Sequence, residues 1–222
     1  MIISWFYILN STTLNSIKIS EIYPLFPSTV AKIILDLDFD VFKNEIDNLK
    51  YDKITSNGSS NILITEDRKI LNNFPKEKEI FLECFNEFKR NILKQDSCDF
   101  QITTSWAIKS LKESYGQYHK HCNSVYSGVF YFDDSNVAIE FDCENIIPYQ
   151  IMLPNPSEWN IHNSKIWKFF PQKNMLLFFP SYMRHRITEN NSENDRTSLA
   201  FNMFPVGKIG EKDSVMNLKL ID

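Results

Sequence analysis

The sequence predicts a mainly β, α+β protein whose strands form a sandwich or barrel of the jelly-roll type. From Phe100 onward, six short segments rich in β-branched and aromatic residues alternate with turns of Asn, Asp, Ser and Pro. Before them, two segments carry apolar residues at helical spacing. The 222 residues are 43% hydrophobic and 23% charged, which is typical of a globular protein with its own core. We therefore expect a single domain over 1–222, with strands and supporting helices in 1–99 and a jelly-roll core in 100–210.

Two helices are predicted ahead of the strands. Residues 39–53 place Phe42, Ile46 and Leu49 on one stripe. Residues 74–95 begin with Pro75, which suits the first turn of a helix. Every fourth position of this segment is apolar: Ile80, Cys84, Phe88 and Ile92.

The predicted strands of the second half are 100–109, 125–132, 137–142, 175–179, 183–188 and 196–204. The intervening stretch 143–173 contains four prolines and is interpreted as a lid or binding loop. Nearer the start of the chain, residues 1–10 are predicted as an edge strand that packs on the core. Residues 15–38 are read as strand and turn, and 57–60 as a turn.

Charge and cysteine content limit the possible partners and compartment. The formal net charge is −4, from 24 basic and 28 acidic residues, which argues against a surface for non-specific nucleic acid binding. The four cysteines form no CxxC pair, so a reduced cytoplasmic setting is expected. The apolar N-terminal stretch is too short to span a bilayer, and no membrane partner is expected.

His119-Lys120-His121 is the first motif with chemical potential. On a strand, alternate side chains point the same way, so both imidazoles can converge on one metal ion. An isolated HxH is weak evidence, since pairs of surface or core histidines are common.

His185 and Arg196 extend this motif. The strand 196–204 carries Arg196, Ser198, Ala200 and Asn202 on one face, which suits the wall of a pocket for a carboxylate. Residues 188–195 are interpreted as a hairpin turn that places His185 across from residue 196 or 197. A metal ligand and an anion-binding arginine would then be cross-strand neighbours.

Four segments together resemble a known family. They are SWAIKS (105–110), YHKHCNSVYSGVFYF (118–132), LLFFPSYMRHRI (176–187) and DRTSLAFNMF (195–204), and IYPLFPSTV (22–30) adds a weaker match. Their order resembles the 2-oxoglutarate/Fe(II) oxygenases of cyanobacteria, marine bacteria and their phages. The resemblance implies a double-stranded β-helix, cupin-like, with the N-terminal helices packed outside it.

The resemblance also implies roles for individual residues. His119, His121 and His185 match the metal ligands, and Arg196 and Ser198 match the Arg-x-Ser pair that holds the far carboxylate of 2-oxoglutarate. A tyrosine hydroxyl is expected to help; Tyr118, Tyr126 and Tyr131 are candidates, with Tyr131 preferred. The superfamily ordinarily uses two histidines and one carboxylate. Here His121 stands at the carboxylate position, and Glu140 or Asp142 is the less favoured alternative ligand.

The implied function is an Fe(II)- and 2-oxoglutarate-dependent dioxygenase that hydroxylates an unidentified small-molecule or peptide substrate and releases succinate and CO2. The alternative is a three-histidine cupin-type metal enzyme, either a dioxygenase or a hydrolase, that does not use 2-oxoglutarate. A non-catalytic jelly-roll module is the third hypothesis. Speculative substrate contacts are Trp106, Trp159 and His162, and a homodimer through exposed strand edges is possible.

Overall fold

The computed structural model describes residues 21–24, 26–54, 60–143 and 155–220. The edge strand predicted for residues 1–10, the first part of 15–38 and most of the turn at 57–60 lie outside these residues. The described residues form two α-helices, α1 (Asp40–Asp47) and α2 (Pro75–Phe88), and a π-helical turn, Lys89–Leu93, continues α2. Both predicted helices are thus confirmed, although α1 is shorter than the sequence pattern suggested.

The described residues form eleven strands. In chain order they are β1 (Ala31–Ile34), β2 (Tyr51–Lys53), β3 (Ser60–Thr65), β4 (Asp99–Tyr115), β5 (Tyr126–Tyr131), β6 (Ile139–Asp142), β7 (Ile166–Phe169), β8 (Met175–Pro180), β9 (Arg184–Ile187), β10 (Arg196–Ile209) and β11 (Met216–Leu218). All six strands predicted for the second half are present. The prediction missed β7, because residues 143–173 were interpreted as a loop throughout.

The strands form two antiparallel sheets. The larger has the order β1-β8-β5-β10-β4-β3-β2, with β11 paired to β10, and the smaller has the order β7-β6-β9. An isolated bridge between His119 and His185 extends the smaller sheet beyond β9. Between β5 and β10 the chain crosses from one sheet to the other four times, in the manner of a double-stranded β-helix, which confirms the predicted fold class.

The two faces of the large sheet serve different purposes. Its outer face packs on the helices, where Phe81 stacks on Phe201 with ring centroids 5.5 Å apart. Gly128 lies beneath this pair, and a Cβ there would stand 2.2 Å from the Phe201 ring. Only glycine therefore permits this close packing at position 128. The inner face encloses a second apolar cluster that includes Val129, Phe141 and Phe179, next to the histidines.

Candidate metal and 2-oxoglutarate site

Three histidines from distant parts of the chain meet at one end of the barrel. One ring nitrogen from each of His119, His121 and His185 lies within 4.8 Å of the others, and this is the metal-ligand cluster found in the described residues. The Nε2 atoms of His119 and His121 are 3.3 Å apart. Two nitrogens each about 2.1 Å from one ion in adjacent positions lie about 3.0 Å apart, so this spacing fits a shared metal ion.

The backbone brings two of these residues together directly. His119 and His185 are paired across an antiparallel bridge, with both backbone N–H···O bonds formed at 2.9 and 3.0 Å. His119 and His121 therefore lie on an irregular segment with one bridge, not on a full strand. Their convergence on a common point is as the HxH pattern predicted.

Each histidine has its Nδ1 engaged by an oxygen acceptor. His119 donates to the Gln117 carbonyl at 2.9 Å and His185 to the Met183 carbonyl at 2.9 Å. His121 Nδ1 lies 2.6 Å from Asn202 Oδ1 and 2.8 Å from Ser127 Oγ. With the proton held on Nδ1, each Nε2 presents its lone pair to the common point.

The rings of His121 and His185 are neutral at ordinary pH. Burial, with a smaller effect from His119, lowers the pKa of His121 to about 4. Burial and the same neighbour lower the pKa of His185 to about 3. Because a metal ion binds the neutral imidazole, these shifts suit a ligand set. The donor set, its spacing and its protonation all fit Fe(II).

The two carboxylates considered as alternative ligands lie on the other face of β6. Glu140 is buried and accepts hydrogen bonds from Tyr118 and Arg186, with Lys168 3.0 Å away. Asp142 is paired with Arg184 at 2.6 Å. Their alternation with Phe141, whose ring lies 5.8 Å from that of His185, directs both away from the histidines.

Tyr118 lies at the centre of an outer network on this face of the small sheet, formed with Glu140, Asp142, Arg184 and Arg186. Its ring is flanked by two guanidinium groups, Arg184 at 4.4 Å and Arg186 at 4.6 Å from the centroid. Both arginines are half-buried in ion pairs with β6. Tyr118 precedes His119, and the arginines flank His185, so the network joins the two segments that carry these ligands.

Arg196 lies inside the barrel, on the inner face of β10, and is buried. Its guanidinium donates to Val137 O at 3.2 Å and to Ser110 and Ser198 Oγ at 3.3 Å each. Its Nε has no hydrogen-bond partner, and no carboxylate of the described residues pairs with it. A buried cation without a counter-ion fits the binding of an anion such as the far carboxylate of 2-oxoglutarate.

Tyr131 is the buried tyrosine beside this cation. The guanidinium lies 5.4 Å from its ring centroid, and burial raises its pKa to about 12. Tyr126 instead packs against the helix on the outer face, 5.2 Å from Phe85. Tyr131 is thus the candidate that shares the inner face with Arg196.

The predicted hairpin between His185 and Arg196 was wrong. β9 pairs with β6 in the small sheet, and Phe141, not residue 196, lies opposite His185. β10 pairs with β4 and β5 in the large sheet, with Ser110 opposite Arg196. Residues 188–195 therefore connect the small sheet to the large sheet as an arch. The histidines and Arg196 belong to one site because their side chains face the same barrel interior from the two sheets.

The three speculative substrate residues have different positions. Trp106 is half-buried, with its ring 5.5 Å from that of His121. His162 is exposed and lines a cavity beside the metal-ligand cluster. Trp159 is exposed and is not part of the described wall of that cavity.

Sequence reasoning missed the residues that orient the ligands. Asn202 and Ser127 hold His121, and Tyr118 supports the neighbouring segments. Asn202 had a detectable signal, since it lies on the polar face of β10 with Arg196 and Ser198. Ser127 had none, because a serine in an apolar strand has no distinctive pattern.

The segment that carries this site is similar to a known protein family. Residues 104–202, which contain all three histidines, Arg196 and Ser198, match the family described as "Putative 2OG-Fe(II) oxygenase". No curated protein sequence is similar enough to this chain to count as a match.

Several solved structures share the fold. HygX from Streptomyces hygroscopicus, solved with nickel and 2-oxoglutarate bound, is 12% identical with a TM-score of 0.57, over 79% of this chain and 82% of that one. The epimerase SnoN from nogalamycin biosynthesis is 8% identical with a TM-score of 0.57, over 79% and 78%. A 2OG-Fe(II) oxygenase-family oxidoreductase from Burkholderia pseudomallei is 12% identical with a TM-score of 0.51, over 73% and 75%.

Residues 104–202 are therefore similar to a family of 2OG-Fe(II) oxygenases, and the solved structures show that the fold is shared.

Proposed function

We propose that the protein hydroxylates a substrate bound beside an iron centre held by His119, His121 and His185. The balanced reaction takes substrate, 2-oxoglutarate and O2 to hydroxylated substrate, succinate and CO2. The observation that carries the proposal is the meeting, in one barrel, of three imidazoles and a buried arginine that no carboxylate of the described residues neutralises.

The chain's own residues have defined tasks in this proposal. The three Nε2 atoms would bind the metal, while Gln117, Met183 and the Asn202–Ser127 pair keep the protons on Nδ1. Arg196, with Ser198 and Tyr131 beside it, would neutralise the far carboxylate of 2-oxoglutarate. When bound, iron and 2-oxoglutarate supply the oxidising chemistry, and the protein supplies geometry and exclusion of water.

The replacement of the usual carboxylate by His121 is part of the proposal. Three neutral ligands leave the Fe(II) site one unit more positive than a two-histidine, one-carboxylate set. No carboxylate of the described residues joins the cluster, which supports His121 as the third ligand.

The proposal includes a single oxygenase domain in a cytoplasmic setting. The helices and the large sheet share one apolar cluster, which supports one folding unit. All four cysteines are free, as expected in a reducing compartment. Among the described residues, no helix has the length and apolar character needed to cross a membrane. A homodimer and a cyanobacterial, marine bacterial or phage source stay predictions from the sequence.

The test is anaerobic addition of Fe(II) and then 2-oxoglutarate to the full chain. We expect a visible metal-to-ligand charge-transfer band, and succinate release once air is admitted. Arg196→Met should weaken 2-oxoglutarate binding about 10- to 100-fold while Fe(II) binding is kept. Arg90→Met, at an exposed arginine paired with Glu87, is the matched control and should bind both normally.

Two outcomes would contradict the proposal. One is the absence of both the band and succinate from protein that binds Fe(II). The other is purification with stoichiometric zinc and an activity indifferent to 2-oxoglutarate, which would favour the three-histidine alternative.

A further inference from the structure

The turn that follows β8, residues 180–183, contacts two members of the histidine cluster. The backbone carbonyl of Met183 accepts the Nδ1 proton of His185 at 2.9 Å. The backbone carbonyl of Ser181, in the same turn, accepts the backbone N–H of His121 at 3.1 Å. One turn therefore supports histidines that come from two distant segments of the chain.

The side chain of Ser181 is fully buried and contacts two other serines. Its Oγ lies 2.8 Å from Ser127 Oγ and 2.8 Å from Ser124 Oγ. The backbone N–H of Ser181 also donates to Val125 O at 3.0 Å. Ser181 thus holds residues 121–125, the connection from the His119 bridge to β5, through both its backbone and its hydroxyl.

The hydrogen bonds of Ser181 continue to the imidazole of His121 through Ser127. Ser127 Oγ lies 2.8 Å from His121 Nδ1 and donates to Asn202 Oδ1 at 2.9 Å. The same Asn202 oxygen lies 2.6 Å from His121 Nδ1 and accepts its proton. Because the hydroxyl proton of Ser127 is directed at Asn202, its oxygen can accept the hydroxyl proton of Ser181.

We propose that Ser181 is a positioning residue for His121. Acting through Ser127, its hydroxyl keeps the imidazole proton on Nδ1, so that Nε2 presents its lone pair to the metal ion. Without the Ser181 hydroxyl, the Ser127 hydroxyl can rotate and donate to Nδ1, which moves the imidazole proton to Nε2 and blocks ligation. This inference rests on the proposed function, since it takes His121 as a metal ligand.

The first measurement uses the full chain without metal, so that it depends on neither iron nor 2-oxoglutarate. Long-range 1H–15N spectra of histidine-labelled protein report which ring nitrogen carries the proton, with each signal assigned by substitution of one histidine. Wild type should hold His121 in the Nδ1–H form, and Ser181→Ala should show a substantial Nε2–H population. The signals of His119 and His185 should not change, because both rings donate to backbone carbonyls that the substitution leaves in place.

The second measurement is the Fe(II) affinity, by anaerobic competition with a chelator. Ser181→Ala should raise the Kd about tenfold, the effect expected when the support of a ligating histidine is lost. Ser181→Cys keeps a side chain of similar size with a weaker donor, so its Kd should lie between those of Ser181→Ala and wild type. The Cys variant carries both measurements if the Ala variant does not fold.

A double-mutant cycle tests the route through Ser127. Ser127→Ala removes the link between Ser181 and the His121 ring. If Ser181 acts through this link, adding Ser181→Ala to Ser127→Ala should raise the Kd by less than about twofold further.

Ser105→Ala is the matched control for the loss of a buried serine hydroxyl. Ser105 lies on β4, is buried, and its Oγ accepts the backbone N–H of Leu71 at 2.9 Å. This variant should lower the midpoint of chemical denaturation, as Ser181→Ala does, because a buried donor loses its partner. It should leave the His121 signals and the Fe(II) Kd at their wild-type values.

Failure of this inference is distinguishable from failure of the proposed function. Unchanged His121 signals and Kd in Ser181→Ala, or a full tenfold effect that persists in the Ser127→Ala background, would overturn the role of Ser181 even if 2-oxoglutarate gives its charge-transfer band. The expected changes in a protein that binds Fe(II) but never shows that band would support the role of Ser181 and count against the oxygenase reaction.

Discussion

At the scale of single residues, the site depends on where three protons are held. His119 and His185 donate from Nδ1 to backbone carbonyls, whereas His121 relies on the side chains of Asn202 and Ser127. Backbone carbonyls cannot be removed by substitution, so His121 is the ligand whose orientation a mutation can most easily disturb. The residue at the usual carboxylate position thus depends most on its side-chain neighbours.

Asn202→Leu should therefore weaken Fe(II) binding about 10- to 100-fold, the usual effect of removing a hydrogen-bond partner from a ligating histidine. Asn202→Asp keeps an acceptor for His121 and should retain most of the affinity. Anaerobic competition with a chelator measures both. Equal affinities in the two variants would show that Asn202 does not orient His121.

The pH dependence of stability follows from the buried imidazoles. Their native pKa values, about 4 for His121 and about 3 for His185, lie below the value of about 6.5 expected for unfolded histidine. The unfolded chain then binds more protons as pH falls below about 6.5, so the contribution to stability is complete above that pH and is lost toward pH 4.

For metal-free protein, each ring should cost roughly 2–3 kcal/mol of unfolding free energy by pH 4. In His185→Asn, the amide can still donate to the Met183 carbonyl but does not titrate. Urea unfolding at a series of pH values should show a shallower decline between pH 6.5 and 4 in this variant. An identical slope in wild type and variant would contradict the assignment of this dependence to His185.

At the scale of elements, the outer network of the small sheet fixes the ligand-bearing segments. Tyr118 lies between the guanidiniums of Arg184 and Arg186 and donates to the buried Glu140 of β6. The bridge of His119 to His185 is therefore supported by side chains on the face opposite the site. Cation–π and charge-assisted contacts of this kind strengthen when they are shielded from water.

Tyr118→Ala should lower Fe(II) affinity about tenfold, because the two segments lose their common support. Tyr118→Phe keeps the ring between the guanidiniums and loses only the hydrogen bond to Glu140, so its affinity should lie between that of the Ala variant and wild type. Chelator competition gives the affinities. The control is Tyr115→Ala, at the end of β4. A Tyr118→Ala protein that binds Fe(II) as tightly as this control would refute the positioning role.

At the scale of the whole molecule, function depends on how the two sheets face each other. The arch 188–195 carries the chain from β9, with its metal ligand, to β10, with Arg196. Asn190 within it is fully buried and donates to Ser110 O at 2.8 Å and Asn194 O at 3.0 Å. Its backbone also exchanges hydrogen bonds with the end of β4.

Asn190→Ala should lower the free energy of unfolding by about 1–3 kcal/mol, since the buried Ser110 carbonyl and the Asn194 carbonyl both lose their donor. Chemical denaturation monitored by fluorescence measures the change. Asn191→Ala, at the exposed neighbouring position, should alter stability by less than about 0.5 kcal/mol. Similar losses in both variants would indicate that Asn190 does not anchor the arch.

Much of this molecule could be predicted from the chain alone. Alternating apolar residues marked six strands of the second half, and four-residue spacing marked α2, because side-chain period follows directly from backbone geometry. The HxH motif, His185 and the polar face of β10 likewise indicated the ligating and anion-binding residues, since these chemical groups can be identified from sequence.

The sequence determined which residues could bind a metal ion and an acid, whereas the tertiary structure decided how they meet. The sequence pattern of two strands with a short connection fits a hairpin within one sheet and an arch between two sheets equally well. The choice depends on burial of both apolar faces of the large sheet, one under helices and one inside the barrel. That long-range packing placed Phe141 opposite His185, moved Arg196 into the other sheet and made Asn202 the support of His121.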